Sequence, residues 1–340
     1  MDTGVPDPID PRARSLVEAL GVSGNVRLAE QLVSEAIGLI VDEPDTLDLK
    51  IATAALTEMR EAYRVFAPFR AEQKVTIFGS ARTLPVDPLY AQARDLARAL
   101  ADRGWMTVTG AGPGIMLAGM EGAGRERSIG VSIRLPFETG ANDIIAGDDK
   151  HVSMKYFFTR KLMLIKESQA FVCLPGGFGT LDETFELLTL IQTGKSLPVP
   201  VVLLDAPGDR YWEQVDELVR HQLIERGLVS PDDTGLYRIT DSSDEACSII
   251  EGFYANYRSL RFVGDRMVLR VQQGPTDDQL EHLNERFGHL CATGTIERAE
   301  PSRVERRSDD SLDLDRIAFD FTKHGYGDVI QMIGEINSWV

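Results

Sequence analysis

The 340-residue chain predicts an α/β fold: a Rossmann-like doubly wound parallel sheet with an N-terminal helical extension and a small C-terminal α+β module. Three observations predict it. Between Lys74 and Leu204 short apolar runs alternate with helix-length amphipathic segments, the pattern of a parallel sheet covered on both faces. Three of those runs lead into glycine-rich turns: Gly79-Ser80-Ala81-Arg82, Gly110-Ala111-Gly112-Pro113-Gly114 and Pro175-Gly176-Gly177-Phe178-Gly179-Thr180. Hydrophobic residues make up 43% of the chain, enough for a proper core.

Residues 1–72 read as the helical extension. After Pro6, Pro8 and Pro11, one amphipathic helix is expected over 25–41 on Leu28, Leu32, Ala36 and Leu39, and a second over 46–67 on Leu49, Ala52, Leu56, Met59 and Tyr63. Two helices bury little core alone, so they are expected to pack on the central domain or on another subunit. Residues 73–255 read as the Rossmann-like domain. Its strands are expected at 75–78, 105–109, 129–133, 170–174 and 199–204, and its helices at 89–103, through Met116 and Met120, at 154–167 after a polar loop, and after Thr180. Residues 256–340 read as a βαββα module of ferredoxin-like or ACT-like kind, with strands at 266–271, 295–298 and 317–322 and helices at 276–290 and 326–339. Its expected role is assembly or regulation.

Composition excludes several functions. With 53 acidic against 36 basic residues the formal charge is -17, which argues against broad binding to nucleic acid or an anionic membrane. An anionic ligand must then be held by local cations. No apolar run reaches about 18 residues and no charged-then-apolar leader opens the chain, so the cytoplasm is the expected location. Cys173, Cys247 and Cys291 are far apart and read as reduced packing thiols, and no metal-ligand spacing or Ser/His/Asp set stands out. The dinucleotide fingerprint is only loosely met, because Gly114 comes too early and Ile133 is followed by Arg134 where an acid would close the strand. Walker A is absent. A mononucleotide or a sugar phosphate suits the glycine turns better.

The third turn is the most informative stretch. Pro175, Gly176, Gly177, Gly179 and Thr180 follow a buried strand and open a helix, an arrangement that lets the backbone approach a phosphate and offers it helix N–H groups. Thr180 and Glu183 also fit a capping box. That box leaves Asp182 unexplained, and one of the two carboxylates is expected to face the pocket. The segment 153–161 adds cations: on a helix Tyr156 and Arg160 would share one face, and Lys161 is a secondary candidate. His151, a lone loop histidine, reads as a bystander, while Ser80 and Thr180 offer hydroxyls to phosphate.

Taken together, these residues resemble the LONELY GUY family, the cytokinin riboside 5'-monophosphate phosphoribohydrolases once described as lysine decarboxylases. The stretch 175–183 matches its PGGxGTxxE signature. Gly79-Ser80-Ala81-Arg82, the run from Gly110 through Gly112 and Gly114 to Met116, and Thr159-Arg160-Lys161 match its other motifs in the same order. The resemblance implies a Rossmann-like fold, a homodimer or higher homo-oligomer, and cofactor-free, metal-free hydrolysis of the N-glycosidic bond of nucleoside 5'-monophosphates, of cytokinin or AMP-like type. It also implies that Arg160 and Glu183 are the catalytic pair, with Asp182 beside them, and that Gly79, Ser80, Gly110, Gly112, Gly114, Met116, Lys161 and the third turn bind substrate. Shorter family members carry Met-His before the Arg-Lys pair where this chain has the aromatic run 156–158, so contacts to the base are expected to differ. No pyridoxal-lysine site is evident. The rival reading is a carrier or sensor of a phosphorylated ligand, a nucleotide or a compound like the molybdenum cofactor, on the same scaffold.

Overall fold

The structure is a computed structural model that describes residues 9–135 and 140–340. Pro6, Pro8 and part of the loop expected before Lys150 lie outside the described residues. Two compact units divide at Thr57 and Glu58.

The first unit holds α1 (Pro11–Ala19), α2 (Val26–Val41) and the beginning of α3 (Thr46–Phe66). Asp10 caps α1 by accepting the Arg12 N–H at 2.7 Å, and Pro11 occupies the first turn, where its missing N–H costs nothing. The two later helices fall where the apolar spacing predicts them.

The second unit begins inside α3 and contains two sheets. The larger has seven strands: β1 (Lys74–Phe78), β2 (Met106–Thr109), β3 (Ser128–Ile133), β4 (His151–Met154), β5 (Ala170–Cys173), β6 (Val201–Leu204) and β7 (Arg238–Thr240). Their order is β4-β3-β2-β1-β5-β6-β7 and every neighbouring pair is parallel. Around the sheet run α4 (Pro88–Asp102), α5 (Ile115–Ala123), α6 (Phe157–Lys166), α7 (Phe178–Gln192), α8 (Tyr211–Leu218) and α9 (Ser243–Gly252). Two apolar clusters occupy opposite faces. One joins Val75, Ile77 and Val172 to Leu96, Leu100 and Ile250, and the other joins Phe78, Val108 and Phe171 to Met163, Leu187 and Trp212. The doubly wound parallel sheet is therefore as expected.

Strand order positions the site. From β1 the chain works outward through β2, β3 and β4, then returns to place β5 on the other side of β1, so the winding reverses between β1 and β5. Helices leave opposite faces at such a switch and open a crevice at the carboxyl ends of the strands. The three glycine turns follow β1, β2 and β5, which are immediate neighbours.

The smaller sheet comprises β8 (Tyr257–Val263), β9 (Arg266–Val271), β10 (Cys291–Arg298) and β11 (Asp315–Phe321), in antiparallel order β10-β11-β9-β8. Helices α10 (Asp277–Phe287) and α12 (Tyr326–Asn337) bury Leu283, Val329 and Ile333 against Leu269, Ile317 and Phe319 of this sheet, and a short α11 (Arg303–Ser308) precedes β11. The unit β9-α10-β10 with β11 inserted between its strands is the split arrangement of ferredoxin-like modules. The strand β8 was not expected. It supplies the other edge from upstream in the chain, which makes the element order ββαβαβα rather than βαββα.

Candidate active site

A cleft of about 950 Å³ opens at the switch point and draws lining residues from all three glycine turns, from Arg160 and from both Asp182 and Glu183. Of the residues singled out in the sequence, Gly79, Ser80, Gly110, Gly112, Met116, Gly176, Gly177, Gly179 and Thr180 line it as well. Gly114, Lys161 and Pro175 do not, and each stands one step behind the wall. Gly114 takes φ +65°, and a Cβ there would lie 2.3 Å from Ser80 O, the atom that accepts the Ile115 N–H at 3.0 Å. It lets the second turn pack on the first. Pro175 O accepts the Ser80 N–H at 3.4 Å and ties the third turn to the first.

The third turn presents backbone. Helix α7 starts at Phe178 with Gly177 as N-cap and no side-chain cap, so the N–H groups of its first turn lack intrahelical acceptors where residues 178–180 line the cleft. Such an end favours an anion. Thr180 lies inside the first turn, so the capping box read from Thr180 and Glu183 does not form. At Gly177 and Gly179 an added Cβ would meet nothing within 4 Å among the described residues, so there the missing side chains leave space in the cleft itself.

Arg160 is brought in by α6. The sequence placed this helix from 154, with Tyr156 and Arg160 on one face; instead His151–Met154 pairs with β3 as an edge strand, and Tyr156 is the extended N-cap at φ -105°, ψ 136°. Tyr156 thus shares no helical face with Arg160, and Phe157 reaches the cleft instead. The start of α6 is held by Glu58, buried in the part of α3 that belongs to this unit. Its carboxylate accepts the Lys155 N–H at 2.7 Å and the Thr159 hydroxyl at 2.6 Å. Arg160 Nε donates to Val131 O at 3.0 Å. A Cβ on Gly110 would lie 1.9 Å from Arg160 Nη2 and 2.7 Å from Met116 Sδ, so glycine at 110 is what allows the guanidinium its position.

The two carboxylates part company. Glu183 is 6% exposed, with Oε1 4.0 Å from Arg160 Nη1 and no hydrogen-bond partner for Oε2 among the described residues. Burial pushes its carboxyl up to about 7, against the opposing pull of Arg160 and Lys161. Asp182 stands exposed at the rim, its carboxylate 2.7 Å from Lys161 Nζ, which also reaches Glu186 at 2.5 Å. A buried carboxylate poised near neutrality beside a guanidinium and a set of backbone donors can exchange protons with water and stabilise a developing positive charge.

Other lining residues escaped the sequence reading. Tyr211 donates from Oη to Gly176 O at 2.9 Å; Arg82 and Phe178 stand in motifs already noted, and Ser132 binds His151 Nε2 through its hydroxyl at 2.8 Å. Only Arg82 and Phe178 carried a local signal. Burial lowers the pKa of His151, and it pushes the fully buried Cys173 thiol up to about 12, which keeps that thiol protonated. Among the described residues no cluster has the make-up of a metal site, and no helix is long and apolar enough to cross a membrane.

Fold and cleft together define a Rossmann-like α/β protein whose glycine-walled cleft opens at the switch point of its parallel sheet. Residues 112–250 match the family model described as "Possible lysine decarboxylase". The chain is 34% identical over 146 residues to a probable cytokinin riboside 5'-monophosphate phosphoribohydrolase of Oryza sativa subsp. japonica, covering 41% of this chain and 64% of that one. It is 31% identical over 153 residues to the cytokinin riboside 5'-monophosphate phosphoribohydrolase of Mycobacterium tuberculosis, covering 42% and 78%. Among solved structures, the molybdenum cofactor carrier protein of Chlamydomonas reinhardtii aligns at 20% identity and a TM-score of 0.37, over 53% of this chain and 96% of that one. The chain belongs to the LONELY GUY family. It spans 64%, 46% and 32% of the length of three plant relatives.

Proposed function

We propose that the protein hydrolyses the N-glycosidic bond of nucleoside 5'-monophosphates, of cytokinin riboside or AMP-like type, to free base and ribose 5-phosphate. The observation that carries this reading is Glu183: a buried carboxylate with one oxygen unpartnered among the described residues, set beside Arg160 and facing the cleft of the glycine turns. The N–H groups of the turn at 176–180 hold the phosphate and so fix the ribose. Ionised Glu183 faces the anomeric carbon, where it stabilises positive charge as the C1'–N bond breaks and takes a proton from the attacking water. The C1'–O bond forms, the base departs with the electron pair of the C1'–N bond, and the proton that Glu183 has taken passes to it, which returns the carboxylate to its ionised state. Arg160 orients the carboxylate and supports the leaving base; Asp182 and Lys161 act at the rim, and Met116 with Gly79, Ser80, Gly110 and Gly112 walls the ribose and base.

Incubation with AMP, CMP and isopentenyladenosine monophosphate, followed by chromatography of the released base, tests this. Release from at least one of them is expected. Tight binding across the panel with no base released would make the protein a carrier instead. We also propose a homodimer or higher homo-oligomer, supported by Phe157, Phe158, Leu162 and Leu197, which are half-exposed around an apolar groove that shares Phe157 and Asp182 with the cleft. Light scattering after size exclusion checks the mass.

A further inference from the structure

Tyr211 opens α8, and two features fix where it sits. The Asp205 carboxylate, buried just past the carboxyl end of β6, accepts the Trp212 N–H at 3.1 Å, so the preceding strand supplies the cap that this helix start lacks locally. Trp212 is fully buried, and the Tyr211 ring meets it edge-on with 4.9 Å between centroids. From that anchored position the phenol lines the cleft and donates from Oη to Gly176 O at 2.9 Å.

A trans peptide is planar, with its C=O and N–H directed oppositely. Holding Gly176 O therefore also sets the direction of the Gly177 N–H, the other half of the same peptide. One peptide earlier, Pro175 O is held by the Ser80 N–H at 3.4 Å. Gly177 has no side chain to restrain it, and among the described residues no neighbouring atom stands within 4 Å of where a Cβ would be. The phenol thus takes the place of the missing steric restraint.

We propose that Tyr211 is the positioning residue of the phosphate-binding turn: its hydroxyl locks the Gly176–Gly177 peptide so that the Gly177 N–H is presented to the 5'-phosphate of the substrate. This rests on the reading of the third turn as the phosphate site. Tyr211→Phe keeps the ring and removes the donor. In calorimetric titrations the variant binds ribose 5-phosphate about five- to tenfold more weakly, roughly the worth of one hydrogen bond, while adenosine binds as to the wild type. The KM for a nucleoside monophosphate rises by the same factor at unchanged kcat, the sign of lost uniform binding rather than of a disordered site. Tyr237→Phe, which removes a phenol donor to Asp216 away from the cleft, serves as the control and leaves ribose 5-phosphate affinity alone. Unchanged ribose 5-phosphate affinity in Tyr211→Phe, or an equal loss for adenosine, overturns the proposal. The titration needs no turnover, so a wild type that binds ribose 5-phosphate but cleaves no nucleotide would sink only the hydrolase reading. A wild type with no affinity for ribose 5-phosphate would sink both.

Discussion

Of the glutamates buried beside arginines, the one in the cleft and the one in the C-terminal module end in opposite states. Glu305 is 1% exposed, and burial alone would push its carboxyl up. Instead the Ser302 N–H at 2.7 Å, Arg270 at 2.6 Å and Arg316 at 3.4 Å bring it down to about 2. Glu183 has comparable burial but a guanidinium at 4.0 Å and an oxygen with no partner among the described residues, and it rises to about 7. Proximity to arginine does not decide the outcome; completed hydrogen bonds do. A satisfied carboxylate holds α11 to its sheet, and an unsatisfied one is left with capacity for a ligand.

The sharpest way to break the comparison is Glu183→Gln. Activity on the preferred monophosphate should fall about a thousandfold, within the range for losing an acid–base group, while nucleotide binding persists. Stability should move the other way. Because the folded state holds the Glu183 proton more tightly than the unfolded chain, stability falls as pH rises from the ordinary glutamate value of 4.5 through about 7. The variant removes that penalty, so denaturant melts should show it more stable than wild type at pH 8, by up to about 3 kcal/mol, and equal only at about pH 4, below the unfolded value. In the wild type, kcat/KM should climb through about pH 7 as Glu183 ionises; a flat profile between pH 6 and 8 would remove Glu183 as the essential base.

Glu305→Gln probes the opposite case. Breaking this network leaves buried arginines short of their carboxylate, and urea melts should show a loss of about 3–5 kcal/mol at neutral pH. Here the folded state holds its proton less tightly than the unfolded chain. The contribution is therefore complete above the ordinary value of 4.5 and disappears as pH falls through about 2. Base release by the folded variant should stay near the wild-type rate.

Gly110→Ala comes next. The new methyl would claim the space of Arg160 Nη2, the far end of a long side chain rather than backbone, so the fold should tolerate it while the guanidinium is displaced. A displacement of that size should cost kcat/KM about a hundredfold with little change in melting temperature. An active Gly110→Ala would show that the position of Arg160 is not needed.

What the sequence revealed about these sites follows from the range of the interactions. The glycine turns and the Arg-Lys pair are local strings, and the parallel order that brings them together follows from alternating strands and helices, so fold class and cleft were legible. Boundaries set by distant partners were not. The strand β4 has only four residues, at a sheet edge, and the polar His151 and Ser153 alternate with Val152 and Met154, so nothing in the sequence separates its end from the start of α6 at Phe157. Glu58, which holds the approach to that helix, lies about a hundred residues upstream in a different helix. Thr180 and Glu183 have capping-box spacing, but Gly177 starts the helix three residues sooner. The strand β8 carries Arg258 and Arg261 among its apolar residues, and Arg261 is paired with Asp310 only once the chain has folded.

The smallest effect is expected from Asp182, the immediate neighbour of Glu183 in sequence and its opposite in environment. Successive helix residues point about 100° apart, so one carboxylate enters the cleft and the other meets Lys161 at the rim, largely exposed. An exposed ion pair is worth little, and Lys161 keeps Glu186 as a partner when Asp182 is changed. Asp182→Asn should therefore lower kcat/KM less than about fivefold and leave the pH profile centred where it was. A loss approaching that of Glu183→Gln would mean that Asp182 leaves Lys161 when substrate binds and joins the ribose. The division of labour between the two carboxylates would then be set by the ligand, and the lack of a partner for Glu183 Oε2 among the described residues would no longer single out the residue that does the chemistry.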